Sequence, residues 1–158
     1  MKPETRNFLT YWLPALLWTA LVLSASSGLF SGAQTGSVLE ALLTSLFGEA
    51  PRQHLDVAHF LLRKLAHLTE YGILGWLLYR ARRQQETVWN LIWARFALAG
   101  VALVAMTDEL HQHFVPSRTG SPVDVLLDLI GGLVALAIVR KRSNSLQQSY
   151  VSGHDLSV

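Results

Sequence analysis

The stretch TDELHQHFVPSRTGSPVDVLLD, residues 107–128, decides the fold because it places ionisable side chains between two strongly apolar runs. These runs, residues 91–106 and 123–139, each approach the roughly 20 residues that a helix needs to cross a bilayer. Desolvating charge at a membrane edge is costly, so an ionisable group there indicates a partner or a function. The polar residues of the stretch are Asp108, Glu109, Gln112, Arg118, Asp124 and Asp128. The pattern predicts two membrane helices with a polar site where they end and begin.

The composition places the chain in the membrane class. Of its 158 residues, 51% are hydrophobic and only 15% are charged. The net charge of +2 comes from basic residues at a few positions, which bears on membrane orientation rather than on nucleic-acid binding. We therefore predict no nucleic-acid partner. The sequence has no cysteine, which excludes a disulfide framework and thiolate chemistry.

Two further apolar runs bring the predicted number of spans to four. Residues 8–26 follow Lys2 and Arg6 and have the length of a membrane helix. A signal peptide is the alternative, but the apolar core is long for one, so we expect a retained helix with a kink at Pro14. Residues 60–79 form another span, because their charged side chains lie in the first half and are long enough to reach the interface or to pair.

Between the first two spans, residues 27–51 carry apolar side chains at helical spacing, which predicts a short helix in the membrane interface. Ordinary packing on top of the bundle explains the same pattern equally well. The predicted fold is thus an all-α membrane protein with four transmembrane helices and a short interfacial helix between the first and second. Residues 1–142 form the transmembrane domain, residues 110–122 its last loop, and residues 143–158 a disordered polar cytoplasmic tail.

Basic residues predict the orientation of the spans. They cluster near the N-terminus, between spans two and three, and after span four, so both termini are expected in the cytoplasm. Five aromatic residues would lie at the cytoplasmic ends: Trp12, Trp76, Tyr79, Trp89 and Trp93. The start of span two, the end of span three and the start of span four then face outward. Their polar residues are predicted to meet in one extracytoplasmic cluster.

The second span contributes a polar stripe centred on His67. Lys64, His67 and Tyr71 follow the spacing i, i+3, i+7, and Arg63 and Glu70 extend the same side of the helix. A lone histidine on an apolar helix is usually a satisfied core residue. With a lysine and a carboxylate beside it, general acid/base catalysis by His67 and Glu70 becomes a credible hypothesis.

Acidic groups outnumber basic ones in the predicted cluster. The carboxylates are Glu70, Asp108, Glu109, Asp124 and Asp128, and the cations are Arg63, Lys64 and Arg118. An ion-pair network that fixes helix register would account for part of this set, but it leaves acid over for a proton, a metal or a ligand cation. Asp108, Glu109 and Asp124 offer oxygen ligands for a divalent cation such as Mg²⁺ or Ca²⁺. His111 and His113 are expected to be exposed, and no H-E-x-x-H motif supports a zinc protease.

Two motifs carry a family resemblance. The first motif, K-x-x-H-x-x-E-Y, is formed by Lys64, His67, Glu70 and Tyr71. The second motif is D-E-x-x-Q-x-x-x-P-x-R followed by Asp, Asn and Gly. Its positions are occupied by Asp108, Glu109, Gln112, Pro116, Arg118, Asp124, Asp128 and Gly131. They resemble the VanZ family of small bacterial membrane proteins, whose founding member is linked to teicoplanin resistance. The one departure is Asp128, where that family usually has Asn. The resemblance implies a multi-pass protein of the bacterial inner membrane and supplies no reaction.

Cations and acids beside lipid predict a site for an anionic amphiphile: a polyprenyl phosphate, a lipid-linked wall precursor or a phospholipid head group. The expected catalytic residues are His67, Glu70, Asp108 and Glu109, and the expected binding residues are Lys64, Tyr71, Gln112, Arg118, Asp124 and Asp128, with Lys64 and Arg118 holding the anion. One alternative is a non-enzymatic envelope-binding or structural protein. A small transporter is another, disfavoured by the one-sided position of the charges.

Overall fold

The computed structural model describes residues 2–26, 45, 52–114 and 121–155, and the regular structure of these residues is entirely helical. An N-terminal helix combines α1 (Pro3–Asn7), a π-helical turn (Phe8–Trp12) and α2 (Leu13–Ser26). Three long helices follow: α3 (Arg52–Arg83), α4 (Leu91–His113) and α5 (Pro122–Asp155). The all-α prediction is confirmed for the described residues. The predicted interfacial helix falls on residues 27–51, which lie outside them except for residue 45.

Three of the helices are long and apolar enough to cross a membrane: Pro3–Ala25, Leu91–His113 and Pro122–Ser149. The predicted second span lies within α3, which has 32 residues but is more polar because its first half is charged. Large apolar side chains are exposed along the outside of the bundle, as expected for a surface that faces lipid. The structure thus supports membrane-spanning helices and does not establish the predicted count of four.

Two helices extend beyond the predicted boundaries. The predicted last loop, residues 110–122, is wrong in its first part because α4 continues to His113. Good helix formers follow residue 106, and Pro116 is the first strong breaker. Helix α5 continues past residue 142 to Asp155, so residues 143–155 of the tail predicted to be disordered are helical. No glycine or proline interrupts residues 143–152, and the predicted domain boundary falls inside a helix.

A π-helical turn, Phe8–Trp12, lies just before Pro14, where a kink is predicted. Proline cannot donate a backbone hydrogen bond and its ring crowds the preceding turn, and a wider turn relieves that crowding. Further along this helix, Trp18 Nε1 donates a hydrogen bond of 2.9 Å to the backbone carbonyl of Glu70. Val22 is buried in a core cluster with side chains of α3 and α4. These contacts attach the N-terminal helix to the bundle.

Helices α3 and α5 run parallel and approach closely at their glycines. A Cβ added at Gly131 would collide with the Leu68 carbonyl oxygen and lie 3.2 Å from Gly72 N. One added at Gly75 would lie 3.1 Å from Gly132 Cα. Small residues allow this kind of close packing between membrane helices. The crossing fixes the register of the two helices. That register determines which polar side chains are in contact one to two turns closer to the N-terminal ends of α3 and α5.

Candidate functional site

Polar residues from three separate stretches meet at one end of the bundle. We call them the polar cluster: His67, Asp108, Glu109, Gln112, Asp124 and Asp128, each no more than 8% exposed. They come from the first half of α3, the last two turns of α4 and the first two turns of α5. Because α4 remains helical to its end, Asp108 and Gln112 share one face and both point inward. The cluster is built into the bundle rather than displayed on a loop.

Both cations at the start of the α3 stripe pair with Asp124. Lys64 Nζ is hydrogen-bonded to Asp124 Oδ1, and Arg63 Nη2 lies 3.4 Å from Asp124 Oδ2. Asp124 is 1% exposed, so it depends on these partners for compensation of its charge. In the structure the Lys64 ammonium therefore neutralises a protein carboxylate. Both Asp124 oxygens are engaged by these cations, and Asp124 does not belong to the close group of potential metal ligands described next.

His67, Asp108 and Glu109 form the closest group of potential ligands among the described residues. One ligand atom from each lies within 4.8 Å of the other two, and all three side chains are buried. The imidazole comes from α3 and the two carboxylates from consecutive positions of α4. A nitrogen and two carboxylate oxygens at such separations can converge on one metal ion.

Each of the two carboxylates has one oxygen held by the protein and one without a partner. Gln112 Nε2 donates to Asp108 Oδ2 at 3.0 Å, and the Ser121 backbone N–H donates to Glu109 Oε2 at 2.6 Å. Asp108 Oδ1 and Glu109 Oε1 are buried and have no hydrogen-bond partner within the described part of the chain; the Tyr71 hydroxyl, which is also buried without a partner, lies beside Asp108. A buried, unpartnered carboxylate oxygen is costly. A cation held by both carboxylates would satisfy such oxygens.

His67 is oriented by an acid from the third helix. Its Nδ1 lies 3.2 Å from Asp128 Oδ1, and Asp128 is fully buried. The His67 ring also stacks on Tyr71 with 6.3 Å between ring centroids. Tyr71 is fully buried beside Asp108. These contacts leave Nε2 as the ring nitrogen available for a ligand.

The other residues singled out from the sequence are Glu70, Arg118, His111 and His113. Glu70 is half-buried and does not belong to the close group of ligand atoms. Arg118 lies outside the described residues. His111 and His113 are exposed, as predicted, although they stand on α4 instead of a loop.

The sequence reasoning missed Ser121, whose backbone holds Glu109. Its hydroxyl accepts a hydrogen bond from Val123 N at 3.3 Å and its carbonyl accepts one from Asp124 N at 2.9 Å. A serine followed by proline is a typical start of a helix, with serine as N-cap and proline at the first helical position. That pattern predicts where α5 begins, but not that the cap would reach across to α4.

Membrane-length helices with a buried histidine and carboxylates at one end of the bundle define a multi-pass helical membrane protein with an internal polar site. The family model VanZ/LLP1 matches residues 9–143. The chain belongs to this family, as its motifs indicate. No curated protein and no solved structure matches it.

Proposed function

We propose that the polar cluster binds a divalent cation at the extracytoplasmic end of the bundle and uses it to bind and modify an anionic lipid or lipid-linked envelope precursor. The two buried, unpartnered oxygens of Asp108 and Glu109 beside His67 carry this proposal. Family membership is consistent with a role at the cell envelope, with an effect on glycopeptide susceptibility as one consequence.

The charges of the cluster favour a cation with two positive charges. Asp124 is paired with Lys64, and Asp128 is hydrogen-bonded to His67 Nδ1. Asp108 and Glu109 do not form an ion pair with another described residue. A divalent ion held by these two buried carboxylates would compensate their negative charges.

The surroundings of His67 resemble those of a metal-bound histidine. Such a residue usually donates its second ring N–H to a carboxylate, which fixes the ring and increases its basicity as a ligand. Asp128 occupies that position at Nδ1. One imidazole nitrogen and two carboxylate oxygens suit Mn²⁺ or Zn²⁺ better than Ca²⁺, which prefers oxygen ligands alone.

A bound cation would also explain how an acidic site accepts an anionic substrate. Without it, the carboxylates of the polar cluster would repel a phosphate group. A divalent cation held by His67, Asp108 and Glu109 would keep coordination positions for phosphate oxygens and would supply Lewis-acid polarisation of the phosphoryl group. Because the cluster lies among lipid-facing helices, a membrane-anchored phosphate is the anion best placed to reach it. A protein that binds this lipid without turnover would use the same site.

The proposed orientation follows from the opposite end of the bundle. Arg80, Arg82 and Arg83 close α3, and residues 140–142 add three more basic side chains on α5. The positive-inside rule assigns this end to the cytoplasm, and the polar cluster to the outer face of a bacterial inner membrane. The Tyr79 ring stacks on Trp89 at 5.1 Å near the same end, in keeping with an interfacial aromatic belt.

Lipid mass spectrometry of the protein purified in detergent tests this proposal. An anionic lipid should co-purify with the wild type in Mn²⁺ and be lost in EDTA. Asp108→Asn should fail to retain it, whereas Glu86→Gln, which removes an exposed acid at the other end of the bundle, should retain it. If every anionic lipid that co-purifies with the wild type in Mn²⁺ remains at the same level in EDTA or in Asp108→Asn, a cation-dependent site is contradicted.

A further inference from the structure

A second cavity lies along the outside of the bundle, away from the polar cluster. It is a groove of about 550 Å³ between α3 and α5. Small residues at the helix crossing, Gly72, Gly131 and Ala135, line its inner part, and Trp76 and Ile138 are among its apolar walls. The surface is shaped and apolar enough to hold a hydrocarbon chain.

The groove ends among arginines. Arg80, Arg83 and Arg142 all line it, and no acidic residue is among its described lining residues. Arg83 Nε is buried and has no hydrogen-bond partner in the part of the chain that the structure describes. The Arg80 guanidinium lies 5.4 Å from the Tyr11 ring centroid and 5.9 Å from that of Trp76. Arg83 and Arg142 carry positive charge at the same end of the groove, and neither forms an ion pair with a described residue.

The length of the groove matches one leaflet of a bilayer. Residues 131–142 of α5 span roughly 17 Å at about 1.5 Å per residue. Half of a typical hydrocarbon core is about 15 Å. A lipid chain that fills the groove from the crossing outward would place its head group beside the arginines.

We propose that this groove binds one anionic phospholipid, with an acyl chain along α3 and α5 and its phosphate at Arg83 and Arg142. Arginine binds phosphate through two parallel hydrogen bonds, which suits a buried Nε donor that lacks a protein partner. This lipid is distinct from the substrate proposed for the polar cluster. It lies against the Gly72 and Gly131 crossing, so it would stabilise the packing that sets the register of α3 on α5.

Native mass spectrometry in detergent, with dioleoyl-phosphatidylglycerol and dioleoyl-phosphatidylcholine as probes, tests the site. The wild type should bind the anionic lipid more tightly, and Arg83→Gln combined with Arg142→Gln should lose about thirtyfold of that affinity, because each arginine contributes roughly fivefold toward an anionic lipid. The matched control is Arg82→Gln combined with Arg140→Gln, which removes two exposed arginines that do not line the groove. This control should keep the preference. An equal loss in both double variants, or no preference in the wild type, would overturn the proposal.

Two further measurements distinguish a site that binds an acyl chain from a site that binds only free phosphate. Val134→Trp fills the groove from its exposed wall and leaves the arginines in place, so it should weaken phosphatidylglycerol binding. Wild-type affinity in this variant would contradict an acyl chain in the groove. Inorganic phosphate at the concentration of the lipid should not displace it; displacement would assign the arginines to free phosphate and overturn the lipid proposal.

Discussion

The substitution Glu109→Gln distinguishes a cation-binding site from a structural ion-pair network, because it removes the negative charge and leaves the size of the side chain nearly unchanged. The amide is nearly isosteric with the carboxylate and still accepts the hydrogen bond that Ser121 N–H donates at 2.6 Å. At the 4.8 Å limit of separation between ligand atoms, two unit charges repel by about 3.5 kcal/mol in an effective dielectric constant of about 20. Without a cation, removal of this repulsion from Asp108 should leave the variant at least as stable as the wild type.

With a cation present, the order of stability should reverse. An ion at about 100 times its dissociation constant stabilises the folded protein by about 2.7 kcal/mol. In a protein of this size, that raises the melting temperature by roughly 5–11 °C. The variant lacks one ligand and should show little of this increase.

Thermal unfolding followed by tryptophan fluorescence, in EDTA and in excess MnCl₂, measures both effects. Glu86→Gln is the control and should follow the wild type in both conditions. If Glu109→Gln is less stable than the wild type in EDTA and gains as much from Mn²⁺, Glu109 belongs to a scaffold and the cation-site hypothesis fails.

Three further predictions follow from the contacts. Lys64→Met should lower the free energy of unfolding in EDTA by about 2 kcal/mol. This is less than the roughly 3–5 kcal/mol typical of a broken buried pair, because the Lys64 side chain is 22% exposed. Adding Asp124→Asn should recover part of the loss in thermal unfolding, and a fully additive loss would contradict the pairing. Gly131→Ala should lower the free energy of unfolding by about 1–3 kcal/mol through overpacking, and it should weaken Mn²⁺ binding by shifting α3 against α5. An unchanged melting temperature and Mn²⁺ affinity would show that the two helices are not closely packed at this crossing. In intact cells, Phe114→Cys should react with an impermeant thiol reagent and Gln85→Cys should not, and the opposite labelling would reverse the proposed orientation.

The sequence predicts which residues meet but not how they pair. Apolar runs with polar residues at their ends determine that the start of α3, the end of α4 and the start of α5 lie together, and this predicts a cluster around His67. The partner of Lys64 depends on the register of α3 on α5. That register depends on contacts between Gly131 and the α3 backbone, which are tertiary contacts that helical periodicity does not encode. The pairing of Lys64 with Asp124 is therefore not predicted by the sequence, and ligand binding by Lys64 stays a prediction.

The C-terminal ends of α4 and α5 also differ from the predicted ones. Residues after 106 and after 142 become polar, and a prediction from hydropathy ends each helix there. Backbone propensity continues past that point in both places, so α4 reaches His113 and α5 reaches Asp155. The continuation of α4 matters for the candidate site, because it places Asp108 and Gln112 on the same inward face of the helix. Hydropathy indicates where lipid contact ends, and the backbone continues as helix until a residue or a cap stops it.

We propose that Asp108, Glu109 and His67 together bind a divalent cation. Electron paramagnetic resonance of Mn²⁺ titrated into protein in lipid nanodiscs measures this directly, because bound Mn²⁺ loses the sharp signal of the free ion. We expect saturable binding of one Mn²⁺ per chain by the wild type and by Glu86→Gln, and loss of that binding in Asp108→Asn and Glu109→Gln. No saturable binding by the wild type, or equal binding by Asp108→Asn, would contradict the claim.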